Sequence, residues 1–255
     1  MISPGLVSIT FRSLPVPVVL ALAKTAGLRC IEWGGDVHCP HGDETTAREV
    51  AAATIAASML VAAYGSYYRI GVSEAQGLSF ASVLVSAVAL GAPVIRVWVG
   101  DSGSAVTSSE QRAGIVADAQ RIAALAEKVG VRVLSEWHGN TLTDTVASGL
   151  DFLQAVGHSH FATIWQPSVG LSTEAAVAEL TAVLPWVEHL HVFHWRQHER
   201  LPLSDGIDAW RRYVALAATT GKVRCAALEF VRHDEPAQLA FDAEVLLQLL
   251  KENRS

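Results

Sequence analysis

The chain is poor in sulfur and in charge. Three cysteines, Cys30, Cys39 and Cys225, are scattered over 255 residues. That is too sparse for a disulfide framework or a cysteine-based zinc site, so they read as reduced thiols. Charged residues make up only 17% of the chain, which excludes an intrinsically disordered protein. An excess of positive charge is also missing, since 19 lysines and arginines stand against 25 acidic residues for a net charge of −6. A negative surface grips a phosphate backbone poorly, so nucleic acid is not an expected partner. Long apolar runs are absent too. The richest, Val50 to Tyr64, falls short of the roughly 18–20 residues that cross a bilayer. The opening stretch, MISPGLVSITFRSLP, lacks a basic leader and is broken by Pro4, Pro15 and Pro17, unlike a signal peptide. A cytoplasmic protein without membrane attachment is expected.

What is present is a large apolar fraction, 51% of residues, arranged in a repeating order. Short apolar runs recur at Leu6–Phe11, Arg29–Trp33, Leu60–Tyr64, Val94–Val99, Val131–Glu136, Phe161–Trp165, Leu190–Trp195 and Cys225–Val231. Segments of helical periodicity separate them; Ser108–Val129 has Ile115, Ala119, Ile122, Leu125 and Ala126 at near-helical spacing. Gly27, Gly91 and Gly130 punctuate the passages from helix to strand. Eight strand–helix units with continuous apolar strands predict an α/β fold, a single (β/α)8 TIM barrel over residues 1–255. The first run ends in Thr10–Phe11–Arg12 without a glycine-rich phosphate loop, which disfavours an open dinucleotide-binding sheet.

In a parallel barrel, chemistry collects at the carboxyl ends of the strands. Glu136, Gln166, His191 and Glu229 are contributed by the last four strands in order, within or directly after their apolar runs. Two carboxylates, an imidazole and an amide oxygen converging on one point form a set that hard or borderline divalent cations accept. Two carboxylates placed side by side without a cation would resist joint ionisation.

This pattern resembles the xylose isomerase-like TIM-barrel superfamily, which includes sugar phosphate isomerases and epimerases, ketose 3-epimerases, hydroxypyruvate isomerases and AP-endonuclease-type nucleases. The resemblance implies ligand roles for Glu136 in VLSEWH, His191 in HLHVFHW and Glu229 in AALEFV. The superfamily's sixth strand usually ends in Asp followed three residues later by His; here the stretch is WQPSV, with Gln166 and Val169 in those places. An uncharged amide ligand implies weaker cation binding. Val169 and Leu142 also remove positions that ketose 3-epimerases use to handle substrate, so that label does not transfer. The implied cofactor is a divalent metal ion, among manganese, magnesium, cobalt and zinc.

Seven tryptophans are present, and Trp33, Trp98, Trp137, Trp165 and Trp195 fall at or next to strand ends. Indole faces suit the C–H side of a polyol. Histidines gather in the same region: His38, His41, His138, His194 and His198. Candidate substrate contacts are Glu32, His38, Tyr68, Arg96, Trp98, His138, Trp165, His194 and Arg200, with Tyr67 and Arg69 beside Tyr68. The expected activity is that of a metal-dependent isomerase or epimerase of a sugar or polyhydroxy acid. In it the cation stabilises an enediolate, and Glu136 or Glu229 moves a proton between adjacent carbons. The expected partner is a small carbohydrate-like molecule, with a homodimer admissible. Two other readings stand beside this one: a sugar-binding or regulatory barrel that has lost turnover, and an AP-endonuclease-type nuclease, which the net charge and the absent sixth-strand Asp oppose.

Overall fold

A computed structural model describes residues 1–197 and 199–253. Eight parallel strands close into a barrel: β1 (Ser3–Val7), β2 (Cys30–Gly34), β3 (Leu60–Ile70), β4 (Val94–Val99), β5 (Arg132–Glu136), β6 (Phe161–Trp165), β7 (Val187–Val192) and β10 (Cys225–Leu228), which pairs back onto β1. The short antiparallel hairpin of β8 (His194–Arg196) and β9 (Glu199–Leu201) rises beyond β7. Around the barrel lie α1 (Val16–Thr25), α2 (Glu44–Ala56), α3 (Phe80–Leu90), α4 (Ser109–Glu127), α5 (Val146–Val156), α6 (Thr173–Val183), α7 (Ile207–Ala218) and α8 (Pro236–Glu252). The expected (β/α)8 architecture is therefore the one observed. Among the described residues, no helix is long and apolar enough to cross a membrane.

The helices begin where side chains satisfy their free N–H groups. Asp43, Ser79, Ser108, Thr145 and Ser172 cap α2 to α6, and Ser108 with Gln111 forms a reciprocal capping box. The outward faces of the strands pack on the helices. Trp33, Ile95, Val97 and Leu190 are buried in that layer.

Several strand boundaries differ from the apolar runs: β3 continues to Ile70, β10 stops at Leu228, and the first and seventh strands are displaced. The first strand ends at Val7, and Ser8–Phe11 forms a 3-10 turn. The hydroxyl of Ser8 leaves the sheet's bonding pattern to accept from the Gly34 N–H at 2.9 Å. The seventh strand starts at Val187 and stops at Val192, so His194 and Trp195 belong to the hairpin. Polar inward residues such as His189 hid its true start from an apolar-run reading.

β3 carries an irregularity that shapes the mouth. Gly65 pairs with Arg96, but the next pairing joins Tyr68 to Val97, leaving Ser66 and Tyr67 as extra residues. Ser66 Oγ donates to the Arg96 carbonyl at 2.6 Å, and Tyr67 adopts a φ of 55°. A bulky residue in that left-handed region is disfavoured by about 1–2 kcal/mol, so the bulge is held by its surroundings.

Candidate metal centre at the barrel mouth

His191 is oriented from behind. Its Nε2 lies 3.0 Å from Glu32 Oε2. Burial alone would raise the Glu32 carboxyl, but His191 and Arg96 outweigh it and hold Glu32 down at about 2. An ionised carboxylate only accepts, so Nε2 carries the hydrogen and Nδ1 is aimed the other way. Nδ1 sits 3.4 Å from Glu229 Oε2 and 3.8 Å from Glu136 Oε1, buried and without a hydrogen-bond partner. One ligand atom each from Glu136, His191 and Glu229 lies within 4.8 Å of the others.

Gln166 follows β6 directly. Its amide nitrogen donates to Glu136 Oε1 at 3.2 Å and to the Trp137 carbonyl at 2.9 Å. That uses both N–H groups and leaves Oε1 buried and unpartnered. An orphaned imidazole nitrogen and an orphaned amide oxygen beside two carboxylates form a donor set that fits a divalent cation. The Glu32–His191 pair is the carboxylate–imidazole arrangement that fixes a ligand's tautomer.

Glu136 is the most tightly held of the four. Its Oε2 accepts from the Arg96 guanidinium and from the Trp98 indole N–H. Burial opposes the charge, yet Arg96 and His191 keep the carboxyl well below the usual range. Arg96 itself is 1% exposed, and its Nε donates to Glu32 Oε1 at 2.6 Å. Gly65 makes room for this pair, since a Cβ there would lie 2.7 Å from Arg96 Nη2 and 2.9 Å from Glu32 Oε1. Burial also works against a charged His191, but Glu229 and Glu32 raise it well above the ordinary imidazole value. A cation bound at Nδ1 must displace that proton, so metal affinity should fall as pH falls. Gln166→Asp should tighten divalent-metal binding by adding an anionic ligand; calorimetric titration showing equal or weaker affinity would remove Gln166 from the ligand set.

Around this cluster the mouth is aromatic and cationic. His138 stacks on Trp98 at 4.7 Å. Its Nδ1 lies 2.6 Å from the Gly139 carbonyl, so Nδ1 donates there and Nε2 is left for other partners. The Arg69 guanidinium lies 4.3 Å over Trp98, and that of Arg96 lies 4.6 Å over Tyr67. Arg12 pairs with Asp36 and reaches the Tyr67 hydroxyl at 3.3 Å. Arg200 pairs with Asp234 and covers Phe230 at 4.1 Å and Trp195 at 5.4 Å. Arg12, Arg200 and Phe230 border one cavity of about 450 Å³. Phe230 was not anticipated; the sequence signal was its position next to Glu229.

Several expected substrate contacts face elsewhere. Glu32 and Arg96 lie beneath the mouth and act on His191 and Glu136 rather than on a ligand. Tyr68 points out of the barrel, its hydroxyl donating to Asp118 at 3.3 Å and its ring against Phe80; Tyr67 takes the inward place. His38 is fully engaged, with Nε2 donating to the Leu14 carbonyl and Nδ1 accepting from Ser8, both at 3.0 Å. His194 packs against Gly206, where a Cβ would lie 2.4 Å from its Nδ1. His198 lies outside the described residues.

Trp165 donates to Glu179 Oε1 at 3.0 Å and packs edge-on against Trp210 and Tyr213. Trp137 fills the space left by Gly149 on α5. Neither is a sugar platform. Trp165→Ala should therefore lower stability by about 3–5 kcal/mol, the usual cost of truncating a core aromatic, while metal affinity measured below the melting range stays unchanged.

The 3-dehydroshikimate dehydratase of Bacillus anthracis is 34% identical over 103 residues, a match spanning 38% of this chain and 35% of that protein. In structure, the probable 3-DHS dehydratase AsbF, involved in petrobactin synthesis in Bacillus anthracis, superimposes with a TM-score of 0.77 at 21% identity over 97% of this chain and 99% of its own. A xylose isomerase-like TIM barrel protein from Mycobacterium smegmatis, in complex with magnesium, gives 0.77 at 14% identity over 99% and 98% of the two chains. The D-psicose 3-epimerase of Clostridium cellulolyticum H10, with D-tagatose, gives 0.72 at 14% over 98% and 99%. The family model described as xylose isomerase-like TIM barrel matches residues 20–249. The chain belongs to the xylose isomerase-like TIM-barrel family.

Proposed function

We propose that this barrel enolises a small polyhydroxylated carbonyl compound, a sugar or polyhydroxy acid, by removing a proton from the carbon next to the carbonyl. The observation that carries this reading is the inequality of the two carboxylates. Glu136 is clamped by Arg96, Trp98 and Gln166. Among the described residues, the side chain of Glu229 receives no hydrogen bond; its neighbour in the cluster is His191 Nδ1 at 3.4 Å. Held by fewer groups than Glu136, Glu229 keeps an oxygen open to a substrate proton.

A divalent cation held by Glu136, Gln166, His191 and Glu229 would supply Lewis acidity, making the C–H beside a chelated carbonyl more acidic. The remaining work falls to side chains. Arg96 and Trp98 keep Glu136 ionised and fixed. Glu32 fixes the His191 tautomer. Glu229 has a second oxygen free to take the carbon-bound proton. His138, with Nδ1 engaged by the Gly139 carbonyl, presents Nε2 as a second group for proton transfer. Trp98, Tyr67 and Phe230 offer apolar faces to the ligand's carbon skeleton, and the tryptophans of the outer layer do not.

Return of the proton to the neighbouring carbon, or to the other face of the same carbon, gives an isomerase or epimerase. Loss of a hydroxyl from the β carbon gives a dehydratase. The second outcome is favoured by the 34% identity to the 3-dehydroshikimate dehydratase. All three reactions share the first step, so exchange of substrate hydrogen with solvent tests them together. The protein, loaded with Mn2+, is incubated in D2O with 3-dehydroshikimate and with a panel of ketoses and aldoses, and NMR follows deuterium incorporation and product. Exchange on a sugar without water loss supports the isomerase or epimerase; an aromatic product from 3-dehydroshikimate supports the dehydratase. Tight binding without exchange on any of them would leave a binding barrel and overturn the proposal.

A further inference from the structure

The amino-terminal end of the barrel, opposite the mouth, opens into a cavity of about 880 Å³. Its inner wall is small and apolar, with Ala62, Val94 and Ala162 beside the thiols of Cys30 and Cys225. Those thiols lie 3.4 Å apart, and Gly5 between their strands leaves the space they share. His189 also lines the cavity. It is 5% exposed, and its imidazole makes no hydrogen bond among the described residues. Its ring lines the inner wall, where an imidazole N–H can donate to a ligand.

The rim has a different character. Arg132, Lys222 and Arg224 border the opening, with Glu188 as the one acidic residue there. Glu188 is taken by Arg132, its Oε1 and Oε2 accepting from the two ends of the guanidinium. Lys222 binds the Pro185 carbonyl, and neither it nor Arg224 has a carboxylate within ion-pair range among the described residues. The rim is therefore a cationic ring with two uncompensated charges around an apolar interior, and the interior ends in a polar group without a partner.

We propose that this cavity is a second ligand site, distinct from the mouth, for a small amphipathic organic anion. Its acidic group meets Lys222 and Arg224, its apolar body lies against Val94 and Ala162, and a polar atom at its inner end pairs with His189. Charge complementarity selects the anion. The volume lies within the range of small-molecule sites.

The test uses the whole chain and the probe 8-anilinonaphthalene-1-sulfonate, followed by fluorescence and calorimetry. The expected result is one saturable site per chain. Charge reversal at the exposed rim, Lys222→Glu with Arg224→Glu, should weaken binding about tenfold or more by exchanging attraction for repulsion. Ala162→Phe, which fills the inner wall, should abolish it, and Glu229→Gln at the mouth should leave it unchanged. Binding of the probe should also shift the His189 imidazole resonances in NMR. The rim variant changes only exposed side chains, so the test survives a folding failure of Ala162→Phe. Non-saturable binding, equal affinity in the rim variant, loss of binding in Glu229→Gln, or unmoved His189 resonances would each overturn the proposal.

Discussion

Replacing Arg96 with methionine should destabilise the metal-free protein by about 3–5 kcal/mol, because it leaves buried carboxylates without their counter-charge. Arg96 is 1% exposed and bridges Glu32 to Glu136. A methionine fills much of its volume but neutralises neither group. The size of the loss should depend on divalent cations. Added Mn2+ places positive charge beside Glu136 and should recover part of the stability. Urea unfolding with chelator and with excess Mn2+ separates the two conditions. An equal loss in both would mean that the cation does not sit on Glu136. Wild-type protein under the same pair of conditions fixes the stabilisation that metal gives when Arg96 is present.

The role of Arg96 shows where the sequence could be read and where it could not. Glu136, Gln166 and Glu229 were legible because strand order brings strand ends to one mouth, and the family resemblance selected His191. The work of Glu32 was not. It meets His191 across 159 residues of chain, a pairing that depends on closure of the barrel rather than on any local pattern. The tryptophans lay between these cases. Side chains alternate along a strand, so the residue next to an inward ligand faces outward. Trp33 follows Glu32, Trp137 follows Glu136 and Trp165 precedes Gln166, and all three pack toward the helices. Trp98 is two residues from the inward Arg96 and is the one of the four that enters the mouth. Position near a strand end drew attention to all of them; alternation sorts them. Tyr68 obeys the rule as well: it lies three residues after the inward Gly65 and faces the helices, because two extra residues leave the alternation of β3 intact.

Glu229→Gln should reduce turnover by about 10²–10⁴-fold, the range that a positioned general base contributes. The amide keeps the shape of the side chain and one oxygen for a cation, so metal should still bind, though more weakly. It cannot take a proton from carbon. Circular dichroism should remain close to wild type, while the melting temperature of the metal-free protein should fall because His191 loses the charge of Glu229 at 3.4 Å. The measurement is solvent deuterium exchange into whichever substrate the wild-type protein exchanges. Glu136→Gln should also lose activity and stability, since Arg96 loses an anionic partner there. Glu229→Gln with full exchange activity would shift the role of base to Glu136 or His138.

The bulge in β3 bears on how this mouth could diversify. Ser66 and Tyr67 enter as a pair, and a pair preserves the alternation of the strand: Gly65 before it and Arg69 after it both face inward, at the registers of Arg96 and Trp98. An insertion of one residue would turn the rest of the strand inside out. A two-residue unit behaves instead as an exchangeable cassette, which adds an aromatic ring and raises a guanidinium by one step without disturbing the helix-facing layer. Deleting Ser66 and Tyr67 together should leave a folded barrel with a wider, less cationic mouth, whereas deleting Tyr67 alone should not fold. Evolution of ligand preference at this strand is thus expected to proceed in steps of two.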